Sequence, residues 1–142
     1  MKAEQIFSIA NTLALLSWII LIVAPRWKWT QKIILSGVIP LLLSIAYLGL
    51  IVLFFGSAEG GFGSLAEVMK LFTNEWAALG GWIHYLAFDL FVGIWEVKDS
   101  QKHKISHLIV IPCLIFTFLL GPIGFLMYSI LRFFLAREKK ND

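Results

Sequence analysis

Two carboxylates and a histidine stand inside one apolar run, Trp82-Ile83-His84-Tyr85-Leu86-Ala87-Phe88-Asp89-Leu90-Phe91-Val92-Gly93-Ile94-Trp95-Glu96. Carboxyl and imidazole groups move protons, and a carboxyl held in hydrocarbon suits a general acid or a proton carrier. An Asp at the centre of a membrane helix costs about 2.5–3.5 kcal/mol on insertion scales, so a chain that keeps one has given it a partner or a task. Asp89 is the sharpest candidate; its structural alternative is a carboxyl hydrogen-bonded to a neighbouring helix. On a helix Asp89 and Glu96, seven residues apart, share a face with Trp82, Tyr85 and Gly93 on or beside it. His84 points roughly 140° away from Asp89 at about 100° per residue, and falls with Phe88, Phe91 and Trp95. The two form a dyad only if other helices wrap both sides. Glu96 lies near the end of the run, within reach of water, and His84 near its start, where an interfacial histidine bonded to backbone is the structural alternative.

The elements that would hold these residues are helices in a membrane. The chain has 142 residues, 59% hydrophobic and 15% charged, against about 45–50% and 25% in soluble proteins. Its formal charge of +3 sits between apolar runs, which fits lipid headgroups and offers no stripe for nucleic acid. The reading is an all-α polytopic membrane protein, one transmembrane domain over 1–142, with four spans at about 5–24, 33–55, 80–97 and 107–131. Lys2 is followed by Glu4 and no clear cleavage site, so the first span reads as retained. No transit peptide is evident, which points to a bacterial cytoplasmic membrane. Pro25 ends span one, and Arg26-Trp27-Lys28-Trp29 is an interfacial anchor. Pro40 predicts a kink in span two. Ser64 and Glu67 form a capping-box pattern for a short amphipathic helix between spans two and three, with Leu65, Val68, Met69 and Phe72 on its apolar face. A basic loop runs from Lys98 to Ile105. Gly121-Pro122-Ile123-Gly124 interrupts the last run, whose halves of about 14 residues are too short to cross alone; one bent span is expected, then a basic, solvated tail over 132–142. With four spans, six basic residues fall on each side, and the positive-inside rule has nothing to act on.

Other chemistry is weakly supported. His103 and His107 have a spacing that places two imidazoles on one metal if the helix is continuous, but Lys102 and Lys104 flank His103, and no metal site is assigned. Cys113, alone in an apolar run, reads as an inert buried thiol and allows no intrachain disulfide. No P-loop, nucleophile elbow or dinucleotide fingerprint occurs, and no cofactor is called for.

The stretch from Trp82-Ile83-His84 through Phe88-Asp89-Leu90-Phe91-Val92-Gly93, with Asp99, Pro112 and Gly121-Pro122-Ile123-Gly124, closely resembles the abscisic-acid-deficient-4-like (neoxanthin synthase-type) family of integral membrane proteins. The specific resemblance covers about Glu75 to Tyr128. Plant members are associated with neoxanthin synthesis, in which an epoxide of violaxanthin opens to an allene. The resemblance implies an isomerase-type enzyme acting on, or a protein binding, a lipophilic carotenoid or isoprenoid. Opening an epoxide to an allenic alcohol is redox-neutral and needs an acid and a base. Asp89 is then the acid/base and His84 its helper, while Trp82, Tyr85, Phe88, Gly93, Trp95 and Glu96 contact substrate. The partners expected are membrane lipids and that lipophilic small molecule, no nucleic acid, with homo-oligomerisation left open. Two alternatives remain: a small proton-linked transporter using Asp89 or Glu96, and a non-catalytic lipid- or carotenoid-binding protein.

Overall fold

Long apolar runs broken by Gly and Pro form helices here, as expected. The computed structural model describes residues 2–138, the side chains of residues 55 and 136–138 excepted. Among the described residues there are six α-helices and no strand: α1 Ala3–Val23, α2 Val38–Phe54, α3 Leu65–Leu71, α4 Glu75–Lys102, α5 His107–Leu120 and α6 Pro122–Glu138. Three stretches are long and apolar enough to cross a membrane, Ala3–Val23, Thr30–Phe54 and Glu75–Lys102. The shortest of them, at 21 residues, reaches about 31 Å at 1.5 Å per residue, enough for a hydrocarbon core of about 30 Å. The share of the apolar window buried inside the protein is 28% in α1, 22% in Thr30–Phe54 and 44% in α4. The first two thus leave most of their surface for lipid, and α4 carries most of the internal packing.

Three boundaries differ from the sequence-based expectation. In span two the break lies before Pro40: a π-helical turn, Thr30–Ile34, is followed by a turn over residues 35–37 that closes at Gly37, which has φ +83°, a conformation open to glycine. Pro40 falls in the first turn of α2, where its missing N–H costs no helical hydrogen bond. Span three is longer than 80–97. α4 starts at Glu75, where the Asn74 side chain caps it by accepting from the backbone N–H of Trp76 and Ala77, and it continues through the expected loop to Lys102. The third difference is the largest. The expected bent span over 107–131 is two helices folded into an antiparallel hairpin. Near its tip Gly124 of α6 lies on the α5 backbone, where an added Cβ would collide with the Thr117 nitrogen and the Cys113 carbonyl. Towards its open end Ile109 and Pro112 of α5 share a groove with Leu131, Phe134 and Leu135 of α6. Gly121 makes the reversal at φ +43°, and Pro122 opens α6 at the position where proline suits a helix start. α6 runs on to Glu138, so the first part of the expected solvated tail is helical; residues 139–142 lie outside the described residues.

The chain divides into two compact units, Met1–Ala14 with Ile39–Phe88 and Leu15–Val38 with Asp89–Asp142. In the first unit, α3 forms as its capping signal predicts. The Ser64 hydroxyl accepts from the Glu67 N–H, and the Glu67 carboxylate accepts from the Gly63 N–H at 3.0 Å. Leu71 is buried, whereas Leu65 and Met69 of the expected apolar face are 76% and 65% exposed. That leaves an apolar side free for the membrane interface. Lys70 bonds Glu59 of the preceding link at 2.8 Å, and that hydrogen bond with the adjacent ammonium charge holds the Glu59 carboxyl below its ordinary range.

Candidate functional site

In the second unit the latter half of α4 meets the α5–α6 hairpin through polar groups set among apolar ones. Asp89 is half-buried, and its carboxyl lies beside the hairpin turn: a Cβ on Gly121 would stand 2.8 Å from Asp89 Oδ1. A side chain at 121 would be strained by the positive φ and would press on this carboxyl. One turn along, Gly93 faces the Trp18 indole of α1 so closely that a Cβ would meet it, with Cζ3 at 2.7 Å. Gly93 is therefore a packing contact filled by Trp18.

Glu96 does not reach water. It is fully buried, and the Thr117 hydroxyl donates to its two oxygens at 2.9 and 3.1 Å. The reason is the extra length of α4, which carries Glu96 inward from the helix end, together with the hairpin that covers it. One turn further, Asp99 Oδ2 accepts from the Tyr128 hydroxyl at 2.7 Å and from Arg132 Nε at 2.5 Å, with His103 Nδ1 at 3.4 Å. Tyr128 is fully buried and its ring meets Trp95 edge-on at 5.5 Å; Trp95 also lies 5.6 Å from Phe125. Two carboxylates of α4 thus hold one helix each, Glu96 holding α5 and Asp99 holding α6. The bond from Arg132 to Asp99 is charge-assisted, and such bonds are the strong ones.

The first unit holds the aromatic residues. Trp82 Nε1 donates to Asn11 Oδ1 at 2.8 Å, and its ring lies 5.7 Å from Phe7 and 5.3 Å from Tyr85. His84 is exposed, its ring 5.6 Å from Tyr47 and 4.7 Å from Phe88, itself 57% exposed. Asp89 belongs to the second unit and His84 to the first.

Sequence reasoning missed Thr117, Tyr128 and Arg132 as site residues and met Asp99 only inside the family resemblance. One signal was available: hydroxyl and guanidinium groups within apolar runs that must satisfy themselves internally. The histidine pair does not share a helix, because the chain turns at residues 103–106, with Lys104 at φ +56°. Instead His107 Nε2 donates to the Ile22 carbonyl at 2.8 Å, satisfying an acceptor left open in the last turn of α1. Among the described residues no three His, Cys, Asp or Glu side chains are grouped to hold a metal ion. Cys113 is buried, as expected.

A family model described as ABA4-like, ABA DEFICIENT 4-like, matches residues 5–128. Among curated proteins, the chain is 24% identical over 148 aligned positions to the chloroplastic Protein ABA DEFICIENT 4 of Arabidopsis thaliana. That match covers 97% of this chain and 65% of the relative, so the chain spans somewhat under two thirds of the relative's length. No solved structure matches.

Proposed function

The chain belongs to the ABA4-like family, and from that premise we propose that it is a membrane-embedded isomerase acting on a lipophilic epoxide of the carotenoid or isoprenoid class. The observation that carries the reading is the place of Asp89: a half-buried acidic residue near the middle of the 28-residue helix α4, its carboxyl beside a hairpin turn made by a glycine at positive φ. The residue is partly exposed although its Oδ2 atom is buried, and the proposal has this carboxyl meet a substrate that arrives through lipid. In its protonated form Asp89 donates to the epoxide oxygen as the C–O bond breaks. In its ionised form it accepts the proton lost from the adjacent carbon as the allene forms. The substrate gains and loses one proton, no electrons are exchanged, and water is not consumed. Proton transfer from a positioned side chain contributes about 10²–10⁴-fold.

Glu96 is proposed to hold Asp89's helix in register rather than to touch substrate, since Thr117 occupies both its oxygens. On α4 itself Trp82, Tyr85, Phe88 and Trp95 offer aromatic surface to a polyene. His84, with its ring packed on Tyr47 and Phe88, is assigned to that aromatic surface and not to direct proton exchange with Asp89. The proposed setting is a single transmembrane domain in the cytoplasmic membrane of a bacterium.

The test is expression in a host that accumulates an epoxy-xanthophyll, followed by chromatography and mass spectrometry of the extracted pigments. A product of unchanged mass and altered spectrum is expected with the native chain, falling about 100-fold or more with Asp89→Asn. Unchanged pigments with the native chain would sink the isomerase reading. Pigment that copurifies unaltered with both proteins would mark a binding protein instead.

A further inference from the structure

The hairpin changes how many times the chain crosses the membrane. α5 has 14 residues, about 21 Å at 1.5 Å each, short of a core of about 30 Å. Its turn at Gly121 stops beside Asp89, near the middle of α4. From there α6 runs back along α5, so that Phe134 and Leu135 share a groove with Ile109. A chain that enters α5 on one side of the bilayer therefore leaves α6 on that same side. In such a topology the three long stretches, each long and apolar enough to span, cross once each.

Followed through three crossings, the charges separate. Among the described Lys and Arg side chains only Lys2 and Lys70 fall on the side where the chain begins, along with Glu4, Glu59, Glu67 and Glu75. Arg26, Lys28, Lys32, Lys98, Lys102, Lys104 and Arg132 fall on the opposite side. There, in the second unit, Arg26, Lys28, Lys32, Lys98, Lys102 and Lys104 are all exposed. Trp27 and Trp29 are 50% and 47% exposed beside them. The Lys28 and Lys32 ammonium groups stand 5.7 and 5.9 Å from the Trp29 ring. Indoles sit at the headgroup level, and clustered Lys and Arg next to a span bind an anionic leaflet.

We propose that the α5–α6 hairpin is re-entrant and that this basic end of the second unit is a docking surface for anionic lipid headgroups on the cytoplasmic leaflet. The hairpin gives the charge bias its meaning: seven basic residues among the described ones, against two, orient the chain with its start outside, whereas a fourth crossing would return Arg132 to the other side.

Two measurements test this. Topology reporters fused to either end of the full chain in cells should place the two ends on opposite sides, with the reporter following α6 in the cytoplasm. Both ends on the same side would overturn the re-entrant hairpin. The protein is also reconstituted in phosphatidylcholine vesicles containing phosphatidylglycerol, extracted in mild detergent, and its retained lipid counted. Phosphatidylglycerol should be enriched several-fold over its share of the vesicle. K28Q/K32Q/K98Q should bring the retained lipid back to the starting ratio of the vesicle, because each basic side chain at such a surface is worth about fivefold in affinity. Retention of the two lipids in their starting ratio by the native chain, or the native enrichment kept in the variant, would overturn the docking surface.

Discussion

Asp89 and Glu96 share a face of α4 but not an environment. Asp89 is half-buried beside a turn, while Glu96 is sealed and bonded to Thr117. Substitutions at the two positions should separate along that line. Thr117→Val keeps the shape and removes the donor, leaving a buried carboxyl short of a partner; it should cost about 1–3 kcal/mol, read as a fall in Tm in detergent. Under the proposed function Asp89→Asn keeps Tm within a few degrees and loses turnover. A large loss of stability in Asp89→Asn with Thr117→Val unaffected would reverse these roles. Arg132→Met removes one of the donors to Asp99 but leaves Tyr128 and His103 beside it. Because the Arg132 side chain is 40% exposed, solvent offsets part of that loss, and about 1–2 kcal/mol is expected, below the 3–5 typical of a sealed pair.

Among the elements, the hairpin depends on two glycines. At Gly124 a Cβ would run into the α5 backbone, and backbone cannot move aside as a flexible side chain can. Gly124→Leu should therefore force α5 and α6 apart and abolish the monodisperse peak in size-exclusion chromatography. Gly56→Ala, with nothing within 4 Å of its Cβ, is the control and should behave as native. The short helix α3 has a separate weakness. Without the Ser64 hydroxyl its first turn loses a cap worth about 1 kcal/mol, so Ser64→Ala should speed hydrogen exchange of residues 65–71 several-fold while α4 is unchanged. Equal protection in both proteins would mean that Leu71, which is buried, holds the helix without the cap.

At the scale of the whole molecule, apolar exposure governs behaviour. Val23, Val52, Leu53 and Leu65 are each more than 70% exposed, and most of α1 and α2 is left uncovered by protein. Contiguous surface of that kind is stable only against lipid or detergent. The chain should stay in the membrane pellet after an alkaline carbonate wash and enter solution only with detergent; release by carbonate alone would argue against spanning helices. Helix class, the break at Gly121-Pro122, the cap at Ser64, the retained carboxyl at Asp89 and the family were all legible in the sequence. Each depends on local chemistry: the length of an apolar run, the φ preferences of Gly and Pro, the reach of a side chain over one helical turn, and a short motif. Local chemistry did not say whether the chain bends or reverses at Gly121. That choice rests on whether α6 can lie on α5, which Gly124 permits, and on the bonds from Thr117 and Tyr128 to Glu96 and Asp99, 21 and 29 residues away along the chain. Tertiary packing likewise sealed Glu96, gave Gly93 to Trp18 and bonded His107 to the end of α1. It decided these points because burial and partnership depend on what other segments bring to a residue, and the residue's own neighbours in sequence carry no record of that.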